Sequence, residues 1–127
     1  MVGCTPHAVS VLGTEYSIEI LSRDKDETLK NADGYCDPSG KRIVILDFDS
    51  VKGDAGYDGV ADLDWCRRRV LRHEIIHAFL TESGLRENSH EPESWGISEE
   101  IVDWIALQHH KIQQAFVDAE CAETVIQ

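Results

Sequence analysis

Alternation of apolar and polar residues marks two hairpins in the first half of the chain. Val9-Ser10-Val11-Leu12 alternates weakly and runs into Gly13-Thr14, a turn pair. Tyr16-Ser17-Ile18-Glu19-Ile20 then alternates with period two, the spacing of a strand with one buried face. Residues 22–33 are polar, with Arg23, Asp24, Lys25, Asp26 and Glu27 in close succession, and read as a loop or a short helix. Gly34-Tyr35-Cys36 leads into Asp37-Pro38-Ser39-Gly40, a turn by composition. Lys41-Arg42-Ile43-Val44-Ile45-Leu46 follows as the clearest strand and closes a second hairpin. These pieces predict a small, twisted, mainly antiparallel sheet.

The period becomes helical beyond residue 61. Residues 47–61 scatter Gly53, Gly56 and Gly59 among Asp47, Asp49, Asp54 and Asp58, which predicts a mobile surface loop. The stretch lacks the ligand spacing and closing Glu of a calcium loop. It directly precedes a helix, so it is placed to overhang whatever that helix carries. Asp62 or Asp64 caps that helix, which runs to about Ser83 and stops at Gly84. Its apolar positions are Leu63, Cys66, Val70, Ile76, Phe79 and Leu80. Arg67, Arg68, Arg69 and Arg72 form a basic cluster, with Asp64 spaced to pair with Arg68. Most of that cluster reads as a solvated face; gripping a substrate carboxylate is the functional alternative. Residues 85–97 are irregular and polar. Ser98 caps a second helix from Glu99 to about Asp118, with Ile101, Val102, Ile105, Ala106, Ile112, Ala115 and Phe116 apolar, and residues 119–127 are expected to fray.

Composition narrows the class. A chain of 127 residues with 42% hydrophobic content suits one α+β domain spanning 1–127. No apolar run is long enough to span a membrane, and the first ten residues lack a basic start and an apolar signal core, so a cytoplasmic protein is expected. Asp and Glu number 24 against 12 Lys and Arg, a net charge of −12 that repels phosphate backbones and argues against nucleic-acid binding. Cys4, Cys36, Cys66 and Cys121 form no Cys-x-x-Cys pair and read as free thiols, Cys66 as core.

The chemistry is concentrated in Arg72-His73-Glu74-Ile75-Ile76-His77-Ala78-Phe79-Leu80. His73 and His77 lie one helical turn apart on one face, where two imidazoles can share one Zn²⁺. Glu74 is adjacent and can hold a metal-bound water, the general-base position of a metal-dependent peptidase. A catalytic zinc needs a third protein ligand and one open position. Glu99 begins the next helix, and Asp103 is one turn further on, where it can accept a proton from a ligand imidazole and set its tautomer. Acidic residues also suit a first helical turn unaided; the His-Glu-x-x-His upstream favours the ligand reading.

At these residues the chain resembles the gluzincin metallopeptidases, whose pattern is His-Glu-x-x-His followed by a Glu on a later helix and an Asp one turn on. The short spacing is most similar to the small minigluzincin type and to ImmA/IrrE-like proteins of mobile elements. Their second helix reads approximately Glu-x-x-Ala-Asp-x-Phe-Ala, where this chain has Glu99-Glu100-Ile101-Val102-Asp103-Trp104-Ile105-Ala106. His73 to Phe79 and Trp104-Ile105-Ala106 also look like small phage and prophage proteins described as metallopeptidases. The resemblance covers residues 34 to about 110, and the helix pair is its specific part. Ser98 stands where larger gluzincins often have Asn. Larger relatives also supply an oxyanion-stabilising His or Tyr from a further domain; His90, His110, Tyr35 and Tyr57 are the candidates here, none at a diagnostic spacing.

The resemblance implies a zincin-like domain, with the sheet packed on the His-Glu-x-x-His helix and a C-terminal ligand helix. It also implies a peptidase acting on one specific protein, with an edge strand near Gly34 to Asp37 holding the extended substrate. The competing reading is a non-catalytic acidic binding or inhibitor protein with a structural or vestigial zinc site. Glu74 speaks against it, since a structural site needs no general base.

Overall fold

The structure, a computed structural model, describes residues 5–84 and 99–123, and within 99–118 leaves out the side chains of residues 99–103 and 106. Cys4, the 85–97 connection with His90, the Ser98 cap and residues 124–127 lie outside the described residues. Four strands form one sheet: β1 (Ala8–Val11), β2 (Thr14–Leu21), β3 (Gly34–Asp37) and β4 (Arg42–Leu46), in the order β1-β2-β4-β3. Two helices complete the α+β fold, α1 (Leu63–Glu82) and α2 (Glu99–Asp118). No helix of the described residues is long and apolar enough to cross a membrane.

Both hairpins form where turn chemistry asks for them. Leu12 and Gly13 adopt φ of 50° and 87°, the double positive φ of a two-residue turn that matches strand twist. Asp37 accepts hydrogen bonds from Ser39 Oγ and Gly40 N–H, and Lys41 N–H donates to Pro38 C=O, closing the β3–β4 turn. The sheet is mixed, however. β1–β2 and β3–β4 pair antiparallel, but β2 and β4 run parallel side by side, with Ile18 opposite Ile43 and Ile20 opposite Ile45. The 22–33 connection causes this. It passes the end of the sheet and sets β3 one strand position out, leaving the slot into which β4 returns. Two 3-10 turns (Arg23–Lys25 and Thr28–Lys30) build the connection. Arg23 staples it, donating to the Leu29 and Ala32 carbonyls and to Asp33 Oδ1. β4 is one of the two inner strands, and Ile43 to Leu46 are all buried, which explains its unbroken apolar run.

α1 begins and ends as its caps dictate. Asp62 accepts from Trp65 N–H, and Gly84 at φ 82° follows the last turn. Its buried face takes in Phe79, as expected, and residues beyond the expected stripe. Leu71, Ile75, Ala78 and Phe79 lie on the sheet, against Val11, Tyr16, Ile18 and Ile43. Leu63 and Cys66 turn instead to a smaller cluster made by Leu46, Phe48 and Val51, and Val70 packs against both clusters. The helix thus has two apolar sectors, and residues 47–61 are not simply a mobile loop. A 3-10 helix (Phe48–Val51) buries both its end residues beneath the start of α1, and Asp47 accepts from Asp49 N–H at its N-cap.

The basic cluster of α1 is mostly structural rather than solvated. Arg67 is 3% exposed and donates to Asp64 Oδ1 (2.8 Å), Thr5 Oγ1 (2.9 Å) and the Glu120 carbonyl (2.7 Å). Arg68 pairs with Asp64. Arg72 donates to the Cys121 carbonyl and pairs with Glu123. These bonds fasten the segment after α2 onto α1, so the expected fraying does not extend to Ala119 and Cys121, which are fully buried. Cys121 is a free thiol whose pKa burial raises to about 11, and Cys66 a half-buried one. At the other end of α1, Glu82 accepts from Thr14 Oγ1 (3.1 Å), Tyr16 Oη (2.7 Å) and Lys41 Nζ (2.8 Å), tying the helix to both hairpins. The lysine and tyrosine bonds hold the Glu82 carboxyl below its ordinary pKa.

Truncating Arg67 takes a donor from Thr5 and from the Glu120 carbonyl and leaves Asp64 with one ion pair fewer. Urea denaturation of Arg67→Ala is expected to show a stability loss of about 3 kcal/mol. Lys25→Ala, an exposed charge on the first 3-10 turn, is expected to stay within about 0.5 kcal/mol of wild type.

Candidate functional site

The 3.6-residue period brings His73 and His77 to the same exposed face of α1, one turn apart. Their Nε2 atoms approach to 3.1 Å, with the rings nearly perpendicular at 74°. Two nitrogens each about 2.0–2.1 Å from a tetrahedral zinc stand roughly 3.3 Å apart. The pair therefore already has nearly the bite that such an ion requires, so the donors fit the metal.

Glu74 follows about 100° further round the helix, is 7% exposed and lines the same clefts as His73. Burial raises its carboxyl pKa, and the neighbouring His73 charge opposes that rise. No hydrogen bond from another described residue contributes to the shift. A buried carboxyl of this kind is primed to take up a proton.

Gly34 brings these residues against the sheet. A Cβ there would stand 2.7 Å from Val70 Cγ1 and 3.2 Å from the Val44 carbonyl, so only glycine lets β3 lie this close to α1. A cleft of about 460 Å³ opens along the seam, walled by Gly34, Tyr35 and Cys36 of β3 and by His73, Glu74, His77 and Leu80 of α1. A second cleft of about 360 Å³ adjoins it, sharing Gly34, His73 and Glu74 and continuing between Asp33, Phe48, Tyr57, Cys66, Arg69 and Val70. β3 is an outer strand of the sheet, as the edge role of Gly34 to Asp37 requires. Leu46 N–H donates to the Asp33 carbonyl, so the antiparallel alternation turns the backbone of Gly34 away from β4, toward the outer side.

α2 packs beside α1, with Trp104 edge-on to Phe79 at 6.4 Å between ring centroids. Its backbone starts at Glu99 and puts Asp103 one turn further on. The side chains of Glu99, Glu100 and Asp103 lie outside the described residues, and among those described no group of three His, Cys, Asp or Glu gathers around a common point.

The oxyanion candidates separate. Tyr35 lines the first cleft, yet its hydroxyl donates to Asp26 (2.7 Å) and accepts from Arg42 (2.8 Å). Tyr57 lines the second cleft, donating to Asp33 (2.8 Å) and accepting from Arg23 (2.9 Å). Burial, then the partner carboxylate, raises both phenol pKa values. His110 is exposed on α2, away from both clefts. Sequence reasoning put Gly34 on the substrate-holding edge strand but missed Asp33 and Phe48 as site walls. A glycine opening a strand also signals a close backbone approach, here to α1.

No protein-family model matches the chain, and no curated protein or solved structure matches it significantly.

Because burial disfavours the charged form of Glu74, its proton linkage supports the metal-free fold below the ordinary Glu pKa and withdraws that support as pH rises through the raised folded value. Glu74→Gln is therefore expected to stabilise the metal-free protein more at pH 7 than at pH 4, as read by urea denaturation at both. An equal effect at the two pH values contradicts it.

Proposed function

We propose that this chain is a zinc-dependent peptidase of gluzincin type, acting in the cytoplasm on one specific protein. The observation that carries the reading is the 3.1 Å approach of the His73 and His77 Nε2 atoms at a cleft walled by buried Glu74 and an edge strand. His73, His77 and Glu99 would hold the zinc, with Asp103 orienting a ligand imidazole. Zinc bound there polarises a scissile carbonyl and acidifies water.

The chain's own residues do the rest. An extended peptide adds as a strand beside β3, meeting the backbone of Gly34, and backbone pairing sets its register. Glu74 accepts a proton from the attacking water and returns it to the leaving amine. Its burial supports this role, since a carboxylate of raised pKa both takes and gives up a proton more readily near neutrality. Both tyrosine hydroxyls at the clefts are already bonded, Tyr35 to Asp26 and Arg42 and Tyr57 to Asp33 and Arg23, so neither is singled out to face a developing charge. Restriction to a single protein follows the resemblance to small proteins of mobile elements, and is an argument by analogy.

Protein purified without added metal is expected to carry one zinc by mass spectrometry. His73→Ala and His77→Ala are expected to lose it, and Glu99→Ala to weaken zinc binding by orders of magnitude while Glu100→Ala barely changes it. Helical neighbours point about 100° apart, so the two glutamates cannot both face one metal. Glu74→Gln is expected to keep zinc and fold but to lose at least about 100-fold in cleavage rate of proteome-derived peptides. Cleavage by Glu74→Gln at the wild-type rate rules the mechanism out.

A further inference from the structure

Among the described residues the arginines are paired with carboxylates, with one exception. Arg23 pairs with Asp33, Arg42 with Glu19, Arg67 and Arg68 with Asp64, and Arg72 with Glu123. Among the described residues Arg69 alone has no carboxylate partner, although acids outnumber bases two to one in the chain. It lies on the wall of the second cleft, one helical turn before His73 and on the same face. Its guanidinium stacks over the Trp65 ring at 4.6 Å from the centroid. That stacking holds a long flexible side chain in place without neutralising it, leaving its donor fork available.

Arg69 is the one Lys or Arg among the described residues that line this cleft, where it stands with apolar Phe48 and Val70, with His73 and Glu74, and with an Asp33 carboxylate already bonded to Arg23 and Tyr57. We propose that Arg69 is a specificity-determining residue, which holds a carboxylate of the bound peptide in the second cleft. The inference rests on the peptidase reading above and names its substrate class: a peptide with one carboxylate close to the scissile bond. The surrounding net charge of −12 disfavours acidic peptides in general. Arg69 thus selects a single acidic group within an otherwise neutral or basic sequence. Either an Asp or Glu side chain or a free C-terminal carboxylate supplies that chemistry.

The test uses zinc-supplemented Glu74→Gln protein, so that bound peptides are not cut, with calorimetry as the readout. The probes are an end-blocked neutral decapeptide, the same peptide with a single Glu at each position in turn, and the neutral peptide with a free C-terminus. One carboxylate-bearing probe is expected to bind at least about tenfold more tightly than the neutral one. A Glu probe identifies a side-chain site, and the free-terminus probe a terminal one. Adding Arg69→Gln is expected to remove the preference, and Arg69→Lys to restore part of it. Lys25→Gln, which removes an equal charge away from both clefts, is expected to keep it whole. Equal binding of all probes, or a preference that survives Arg69→Gln, overturns the assignment. Failure of the peptidase reading looks different: the Arg69-dependent preference persists, but protein with native Glu74 leaves the tightest probe uncut.

Discussion

The approach of β3 to α1 at Gly34 is the constraint on which the site depends. Val70 on the helix and the Val44 carbonyl on β4 leave no room for a Cβ there. β3 is fixed from the other side by its pairing with β4, so neither partner can yield without disturbing the sheet. The consequence is a strand edge lying directly against the turn of helix that carries His73 and Glu74. With a side chain at position 34, strand and helix would part, and the two clefts would lose their common wall.

α1 is held at three points along its length, and each hold uses a different interaction. Arg67 and Arg72 fasten its first half to the segment after α2 through carbonyls of Glu120 and Cys121. Leu71, Ile75 and Ala78 bury its middle on the sheet. Glu82 gathers Thr14, Tyr16 and Lys41 at its end. A helix so fixed presents its two imidazoles one turn apart on one face, beside the sheet edge. Most of the arginines neutralise a carboxylate or a carbonyl that folding would otherwise leave exposed or buried alone, which makes Arg69 stand apart.

Local signals accounted for much of this molecule. The hairpins followed from Gly13 and from the Asp37–Gly40 turn, and the bounds of α1 from Asp62 and Gly84, because caps and turns act within a few residues. Long-range choices were not legible. The parallel pairing of β2 with β4 depends on where residues 22–33 deliver the chain, and alternation within a strand carries no information about its neighbour's direction. Arg67 looked like part of a solvated face, because its three partners lie at Thr5, Asp64 and Glu120, two of them far away in sequence. Cys66 read as core because any apolar stripe reads alike; Leu46, Phe48 and Val51 gave it and Leu63 a cluster of their own.

By itself the sequence determined the chemistry that lies within one helix. Two histidines four residues apart must share a face at 3.6 residues per turn, and Glu74, next to the first, must point to a different side. Only the tertiary structure decided what surrounds them. It set the sheet edge against His73, buried Glu74, and opened the adjoining cleft in which Arg69 stands. The division has a physical cause: helical periodicity is a property of consecutive residues, whereas burial and cleft shape arise between segments whose distance apart along the chain leaves no trace in local pattern.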